Sequence, residues 1–169
     1  MKIIKALALW AVVGWTGSSV SWASPLSELL PETLKDVNGN EIPRSSLDGK
    51  LIGVYFSAEW CPPCRGFTPD LVKFRNKNAK EFEVVFVSSD KDAEAQKAYM
   101  KNYKMKWPAV AWGSDEAKKL KSTFQITGIP ALIILDSEGN VITKNGRGDL
   151  GKSEARALDE WKKAAAKTP

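Results

Sequence analysis

One stretch of this chain narrows its possible folds more than any other. A mostly apolar run, Leu51 to Ser57, ends just ahead of Cys61-Pro62-Pro63-Cys64. The run is short, is bounded by Asp48-Gly49-Lys50 and carries Val54, Tyr55 and Phe56, so it reads as a buried strand. Proline is tolerated in the first turn of a helix, where its missing N–H would have no partner anyway, so a helix is expected to open at the Cys-Pro-Pro-Cys segment. Phe67, Leu71 and Phe74 follow at helical spacing and give it an apolar face. Pro69 falls inside that helix, where a bend is expected.

A cysteine at a helix N-terminus has a predictable chemistry. The unpaired amide N–H groups and the helix dipole favour negative charge there, so a thiolate is stabilised and the thiol pKa falls below its free value of about 8.5. The thiolate is the nucleophile in disulfide exchange. Cys61, the first of the pair, is expected to be the more exposed. Cys64 lies one turn further on the same face, placed to attack a mixed disulfide formed at Cys61. Pro62 and Pro63 restrict the backbone between them and pre-set the turn that brings the sulfurs together.

Cys61 and Cys64 are the whole cysteine complement, and the chain has no histidine. A secreted domain stapled by disulfides carries more cysteines, further apart. A ring this short restrains the unfolded chain little, so a structural staple is a poor explanation. The missing histidine removes Cys–His proteases, Ser–His hydrolases and His-ligated metal sites together. Cys-x-x-Cys is also half of a zinc site, but completing it here would need a second subunit or carboxylate ligands. The expectation is a redox pair with no metal and no cofactor beyond the Cys61–Cys64 disulfide itself.

The first residues do not belong to the same unit. Lys2 and Lys5 precede an apolar stretch from Ala6 to Val13, followed by small and polar residues ending Ser21-Trp22-Ala23. This reads as a secretory signal peptide, residues 1–23, cleaved near Ala23. The apolar stretch is well short of the roughly 20 residues of a spanning helix. Residues 24–169 then form one domain, exported to the periplasm or secreted. Its net charge is the full chain's +5 less Lys2 and Lys5, or +3, spread along the sequence. That balance describes solvated helix faces and gives no reason to expect nucleic acid.

The rest of the chain extends the pattern of alternating elements. Ser24 to Leu30 reads as a short leader or helical turn, and Asn38-Gly39-Asn40 as a hairpin turn between Thr33–Val37 and Glu41-Ile42. Phe82–Ser88 and Ala131–Leu135 are two further apolar strands; Ala93–Tyr103 and Ser114–Phe124 are helices. Asp136–Asn140 is a turn into a fourth strand, Val141–Lys144. Ser153 is a good N-cap for a final helix lined by Ala157, Leu158, Trp161 and Ala165. The order gives an α/β fold, a central mixed β-sheet with helices on both faces.

At this point the residues carry a resemblance. The run from Phe56 through Trp60-Cys61-Pro62-Pro63-Cys64-Arg65-Gly66-Phe67-Thr68-Pro69 resembles the active-site segment of the tryparedoxins and nucleoredoxins, members of the thioredoxin superfamily. Met105-Lys106-Trp107-Pro108-Ala109-Val110 is similar to the stretch that family carries between its middle helices. Gly128-Ile129-Pro130-Ala131-Leu132 resembles its cis-proline loop. The resemblance runs from about Leu30 to Leu150. It implies a thioredoxin fold, Cys61 as nucleophile, Cys64 as resolving cysteine, and Pro130 as the cis-proline that faces the disulfide and helps hold a substrate backbone. Trp60 is expected to shield the disulfide and offer substrates an apolar surface; a core tryptophan is the other reading, and the two are compatible. Trp107 is equally a packing residue or a contact. Pro69 matches the kink proline; Arg65 and Glu59 read as solvated charges. Thioredoxins place a buried aspartate where this chain has Tyr55, so the proton of Cys64 needs water or another carboxylate. Tryparedoxins work inside trypanosomatid cells, whereas an exported relative looks more like a bacterial envelope protein.

The function expected is a thiol–disulfide oxidoreductase, a dithiol reductant of protein disulfides in the cell envelope. Its partners would be disulfide-containing proteins and a membrane or soluble dithiol electron donor, and the chain is expected to act as a monomer. The alternatives are a disulfide oxidase or isomerase, or a module that uses the thiols to handle a metal or haem. Arg147-Gly148-Asp149 spells an adhesion tripeptide but is expected to be a loop after the last strand.

Overall fold

A computed structural model describes residues 25–167; the expected signal peptide lies outside them. Among these residues no helix is long and apolar enough to cross a membrane. The elements run α1 (Pro25–Leu29), β1 (Thr33–Lys35), β2 (Glu41–Pro43), a 3₁₀ turn (Arg44–Leu47), β3 (Leu51–Ser57), α2 (Pro62–Lys77), β4 (Phe82–Ser88), α3 (Ala93–Asn102), α4 (Asp115–Thr123), β5 (Ala131–Leu135), β6 (Val141–Thr143) and α5 (Gly146–Ala165). The main sheet has the order β4-β3-β5-β6, with β3 parallel to β4 and antiparallel to β5. A small hairpin, β1-β2, joins through the bridge of Lys35 to Ala109. This mixed sheet, layered between helices, is the thioredoxin fold.

The strands are apolar throughout because both faces of the sheet are covered, and their side chains sort by the period of two. Tyr55, Phe82, Val84, Phe86, Leu132 and Ile134 point to one face, where Leu71 and Phe74 of α2, Tyr99 of α3 and Trp161 of α5 cover them. Ile52, Val54, Phe56, Val85, Ile133 and Leu135 point to the other, under Leu26 of α1 and Leu120 of α4. Gly53 belongs to the first face and cannot be larger. A Cβ there would sit 2.7 Å from the ring of Phe82 and 3.1 Å from Leu132.

One turn chemistry is used twice. Asp36-Val37-Asn38-Gly39-Asn40 and Asp136-Ser137-Glu138-Gly139-Asn140 share the pattern Asp-x-x-Gly-Asn. In each, one carboxylate oxygen accepts two backbone amides (Asn38 and Asn40, or Glu138 and Asn140) and the other accepts the asparagine side chain. The glycines, at φ of 90° and 95°, supply the left-handed conformation that closes the loop.

The final helix departs from expectation. Arg147-Gly148-Asp149 is not a loop but part of the first turns of α5, which starts at Gly146. Ser153, at φ −165° and ψ 96°, interrupts α5, so its role as the start of a helix holds only for the second of two joined segments. The first segment forms despite its glycines because the carboxylate of Asp149 accepts the indole N–H of Trp161 at 3.1 Å, and Leu150 is buried.

Candidate active site

The site is built where β3 ends and α2 begins. The carbonyl of Ala58 accepts the amide of Cys61 at 3.3 Å, a turn that delivers Cys61 to the N-cap of α2, with proline filling the first helical positions. Neither Pro62 nor Pro63 withholds a needed hydrogen bond, because the first turn of a helix has no internal partner for those groups. The amides of Cys64 and Arg65 both donate to the Cys61 carbonyl, at 3.0 and 3.1 Å. The two sulfurs are at disulfide distance, with their Cα atoms 5.2 Å apart.

The two cysteines differ in access as the helix geometry requires. Cys61 retains 4% of its surface and Cys64 none. Pro62 and Pro63 are exposed beside them. On the far side of the sulfurs stands Pro130, buried, with a cis Ile129–Pro130 peptide. The Ile129 carbonyl oxygen lies 3.7 Å from Cys61 Sγ, within reach of a thiol donor when the pair is reduced. The chain order thus brings Cys61, Cys64 and Pro130 together from segments more than sixty residues apart, as the contact between positions 61 and 129 records.

Trp60 is 62% exposed, so it is no core residue; its indole N–H donates to the Ser89 carbonyl at 3.0 Å, which leaves the ring faces as open apolar surface. Trp107 goes the other way. It is buried against Tyr55 and its N–H has no hydrogen-bond partner among the described residues, so it is a packing residue. Arg65 does not reach the sulfurs; it donates to the Glu59 carbonyl at 3.0 Å and ties down the turn before Cys61. Glu59 accepts the side-chain amide of Asn102.

Behind Cys64 lies a feature that the sequence reading missed, a chain of four buried hydroxyls. Thr68 Oγ1 donates to the Cys64 carbonyl at 2.8 Å. That uses its one proton, so Tyr55, at 2.8 Å, and Tyr99, at 2.6 Å, must both donate to Thr68. Tyr99 has then spent its own proton and accepts from Ser57 at 3.0 Å. Every proton in the chain is thereby assigned, and all of them run toward the Cys64 carbonyl. Burial holds both phenols above their ordinary pKa of 10, so they stay neutral. Among the described residues no carboxylate is hydrogen-bonded to either sulfur, and no cluster of acidic or sulfur side chains could hold a metal ion. The one sequence signal for the hydroxyl chain is spacing. Tyr55 and Ser57 share a face of β3, and Thr68 sits one helical turn after Cys64.

A reactive-type cysteine pair on the N-terminus of a helix, closed over by a cis-proline loop in a thioredoxin fold, defines the class of thiol–disulfide oxidoreductases. Residues 49–141 match the Thioredoxin-like family, and the chain belongs to it. It is 42% identical to mouse nucleoredoxin over 144 residues, which is 82% of this chain but only 32% of that protein. The chain therefore spans about a third of the length of the nucleoredoxins it matches. Among solved structures, a thioredoxin from Wuchereria bancrofti superposes with a TM-score of 0.69 at 44% identity, covering 81% of this chain and 98% of that one. Tryparedoxin I from Crithidia fasciculata superposes with a TM-score of 0.69 at 43% identity, covering 77% and 92%.

Proposed function

We propose that this protein is a dithiol reductant of protein disulfides, with Cys61 as nucleophile and Cys64 as resolving cysteine. The observation that carries the reading is the asymmetry of the pair, with Cys61 at the mouth of a helix N-terminus and Cys64 sealed beneath it. The Cys61 thiolate attacks one sulfur of a partner disulfide; the S–S bond breaks, and the partner's other sulfur leaves as thiolate. The Cys64 thiolate then attacks Cys61 Sγ, releases the second partner sulfur and closes the Cys61–Cys64 bond. Two electrons have passed to the partner, and a dithiol donor must return them.

Pro130 and the adjoining segment edge the site where a partner's backbone would lie, and the exposed face of Trp60 would take apolar groups beside the partner's cysteine. Pro62 and Pro63 restrict the turn, so the two cysteines stay close enough for the sulfurs to meet when the Cys64 thiolate attacks. The disulfide is the only redox group this scheme uses. The lysines, apolar run and small residues of the N-terminal segment support export and hence work in the cell envelope. The protein would act there as a monomer, with a membrane or soluble dithiol as donor.

The test is the reduction potential of the pair, equilibrated in glutathione or dithiothreitol buffers. A value near or below about −250 mV supports a reductant; one near about −120 mV makes the protein an oxidant or isomerase and overturns the reading.

A further inference from the structure

The residues just before Cys61 are held by a loop from the neighbouring strand. Asp90, after β4, is buried, and its carboxylate accepts the backbone amide of Glu59 at 2.8 Å and the hydroxyl of Ser88 at 2.7 Å. The three successive carbonyls of the same loop are all occupied. Ser88 O accepts the Lys121 ammonium at 3.0 Å, Ser89 O accepts the Trp60 indole, and Asp90 O accepts the Trp112 indole at 2.8 Å. The Ser89 amide donates to Ser57 O at the end of β3. The loop is therefore pinned on every side, and what it in turn pins is the turn from Ala58 to Cys61.

We infer that Asp90 is a positioning residue for Cys61. By taking the Glu59 N–H it fixes the turn that sets Cys61 at the N-cap of α2, and by holding its own loop in place it fixes Ser89 O, from which Trp60 hangs. The proposal rests on Cys61 being the attacking group. A turn free to rock would carry Cys61 Sγ out of line with the helix amides that stabilise its thiolate, and would swing Trp60 with it. The required function is that of a hydrogen-bond acceptor, which an asparagine oxygen can also supply, its amide then donating to Ser88 Oγ.

The donor can be deleted independently. Glu59 follows Ala58 in a turn closed by the Cys61 amide, and among the described residues only Lys104 and Gln125 are non-glycine residues with positive φ. Glu59 thus has the negative φ of the second position of a common turn, where proline is favoured. Glu59→Pro removes the N–H that Asp90 receives and puts a ring carbon in its place, from which the Asp90 carboxylate must turn away; it also removes the side chain that holds Asn102, a loss that Glu59→Ala makes alone.

The experiment follows iodoacetamide alkylation of Cys61 in the reduced full chain at pH 7 by peptide mass spectrometry, alongside thermal unfolding. Asp90→Ala is expected to slow Cys61 alkylation about tenfold, Asp90→Asn and Glu59→Ala to stay within about twofold of wild type, and Glu59→Pro to repeat the effect of Asp90→Ala; a Glu59→Ala rate as low as that of Glu59→Pro would overturn the proposal. The double variant Asp90→Ala/Glu59→Pro should be no slower than the slower single one, because the bond between Glu59 and Asp90 is already lost in each. Wild-type rates in Asp90→Ala or Glu59→Pro, an Asp90→Asn rate as low as that of alanine, or additive losses in the double variant would overturn the proposal. If Asp90→Ala does not fold, Glu59→Pro and Asp90→Asn decide it. A wild-type protein that alkylates at Cys61 yet reduces no protein disulfide would sink the reductase reading alone.

Discussion

The two cysteines lie three positions apart in the chain, and two differently built regions hold them. On the Cys61 side the wall is backbone: the Ile129 carbonyl, the amides of α2, and a turn tied to its neighbours through Asp90 and Arg65. On the Cys64 side it is a closed set of buried side-chain hydroxyls from β3, α2 and α3, joined to Cys64 through its carbonyl. Backbone groups at a surface can be shared with an incoming chain; satisfied, buried hydroxyls cannot. Access and rigidity are thereby separated, one to each cysteine, over a single helical turn.

The largest effect that would break this division comes from exchanging the sulfurs' roles. Cys61→Ser is expected to abolish disulfide reduction, whereas Cys64→Ser should leave attack intact and trap a partner as a stable mixed disulfide at Cys61, visible on a non-reducing gel. Equal, partial losses in the two variants would erase the asymmetry. Next in size, Thr68→Val takes the shared acceptor away from two buried phenols and the donor from the Cys64 carbonyl. It is expected to lower stability in urea by about 3 kcal/mol, since each buried group left unpaired costs about 1–3 kcal/mol. Tyr55→Phe removes one donor only and should cost about 1 kcal/mol.

Tyr55→Phe also has a pH signature. The phenols' pKa values are raised by burial, so above pH 10 the unfolded chain gives up protons that the folded one keeps, and stability falls as pH rises. Tyr55→Phe should flatten that alkaline decline, as chemical denaturation at pH 9 and 11 would show. On the exposed side, Trp60→Ala should leave stability within about 0.5 kcal/mol while raising KM for a protein disulfide. The smallest effect lies away from both walls. The side chain of Asn40 holds the Asp36 carboxyl below its ordinary value, so Asn40→Ala should move the Asp36 titration upward in NMR. Because a lowered carboxyl favours the folded state only while ionised, that contribution is present above pH 4 and is lost as pH falls through the depressed value.

Much of the scaffold was legible in the residues. Leu51–Ser57, Phe82–Ser88 and Ala131–Leu135 are strands over the expected bounds because both their faces are covered, which writes continuous apolar runs into the sequence. Cys61 is more exposed than Cys64, as its earlier place in the motif predicts, since the N-terminus of a helix lies at the rim of a layer. The start of α5 was not legible, because Gly146, Gly148 and Gly151 carry no helix signal and the turns are held by the distant Trp161. Nor were Asp90 and the hydroxyl chain. Ser57, Thr68 and Tyr99 are ordinary residues until the fold brings them from three elements to one point, and periodicity records only which face a side chain takes, not what it meets there.

The hydroxyl wall has an electrochemical consequence. A buried carboxylate behind the second cysteine would change its own charge over the working pH range and bend the relation between potential and pH. Ser57, Thr68, Tyr55 and Tyr99 hold their protons throughout that range. Below the thiol pKa values, two protons accompany the two electrons, and the pair behaves as an electrode of constant slope, about 59 mV per pH unit. None of these four hydroxyls can break that line, so a plot of potential against pH reads the acidity of the thiol pair free of them.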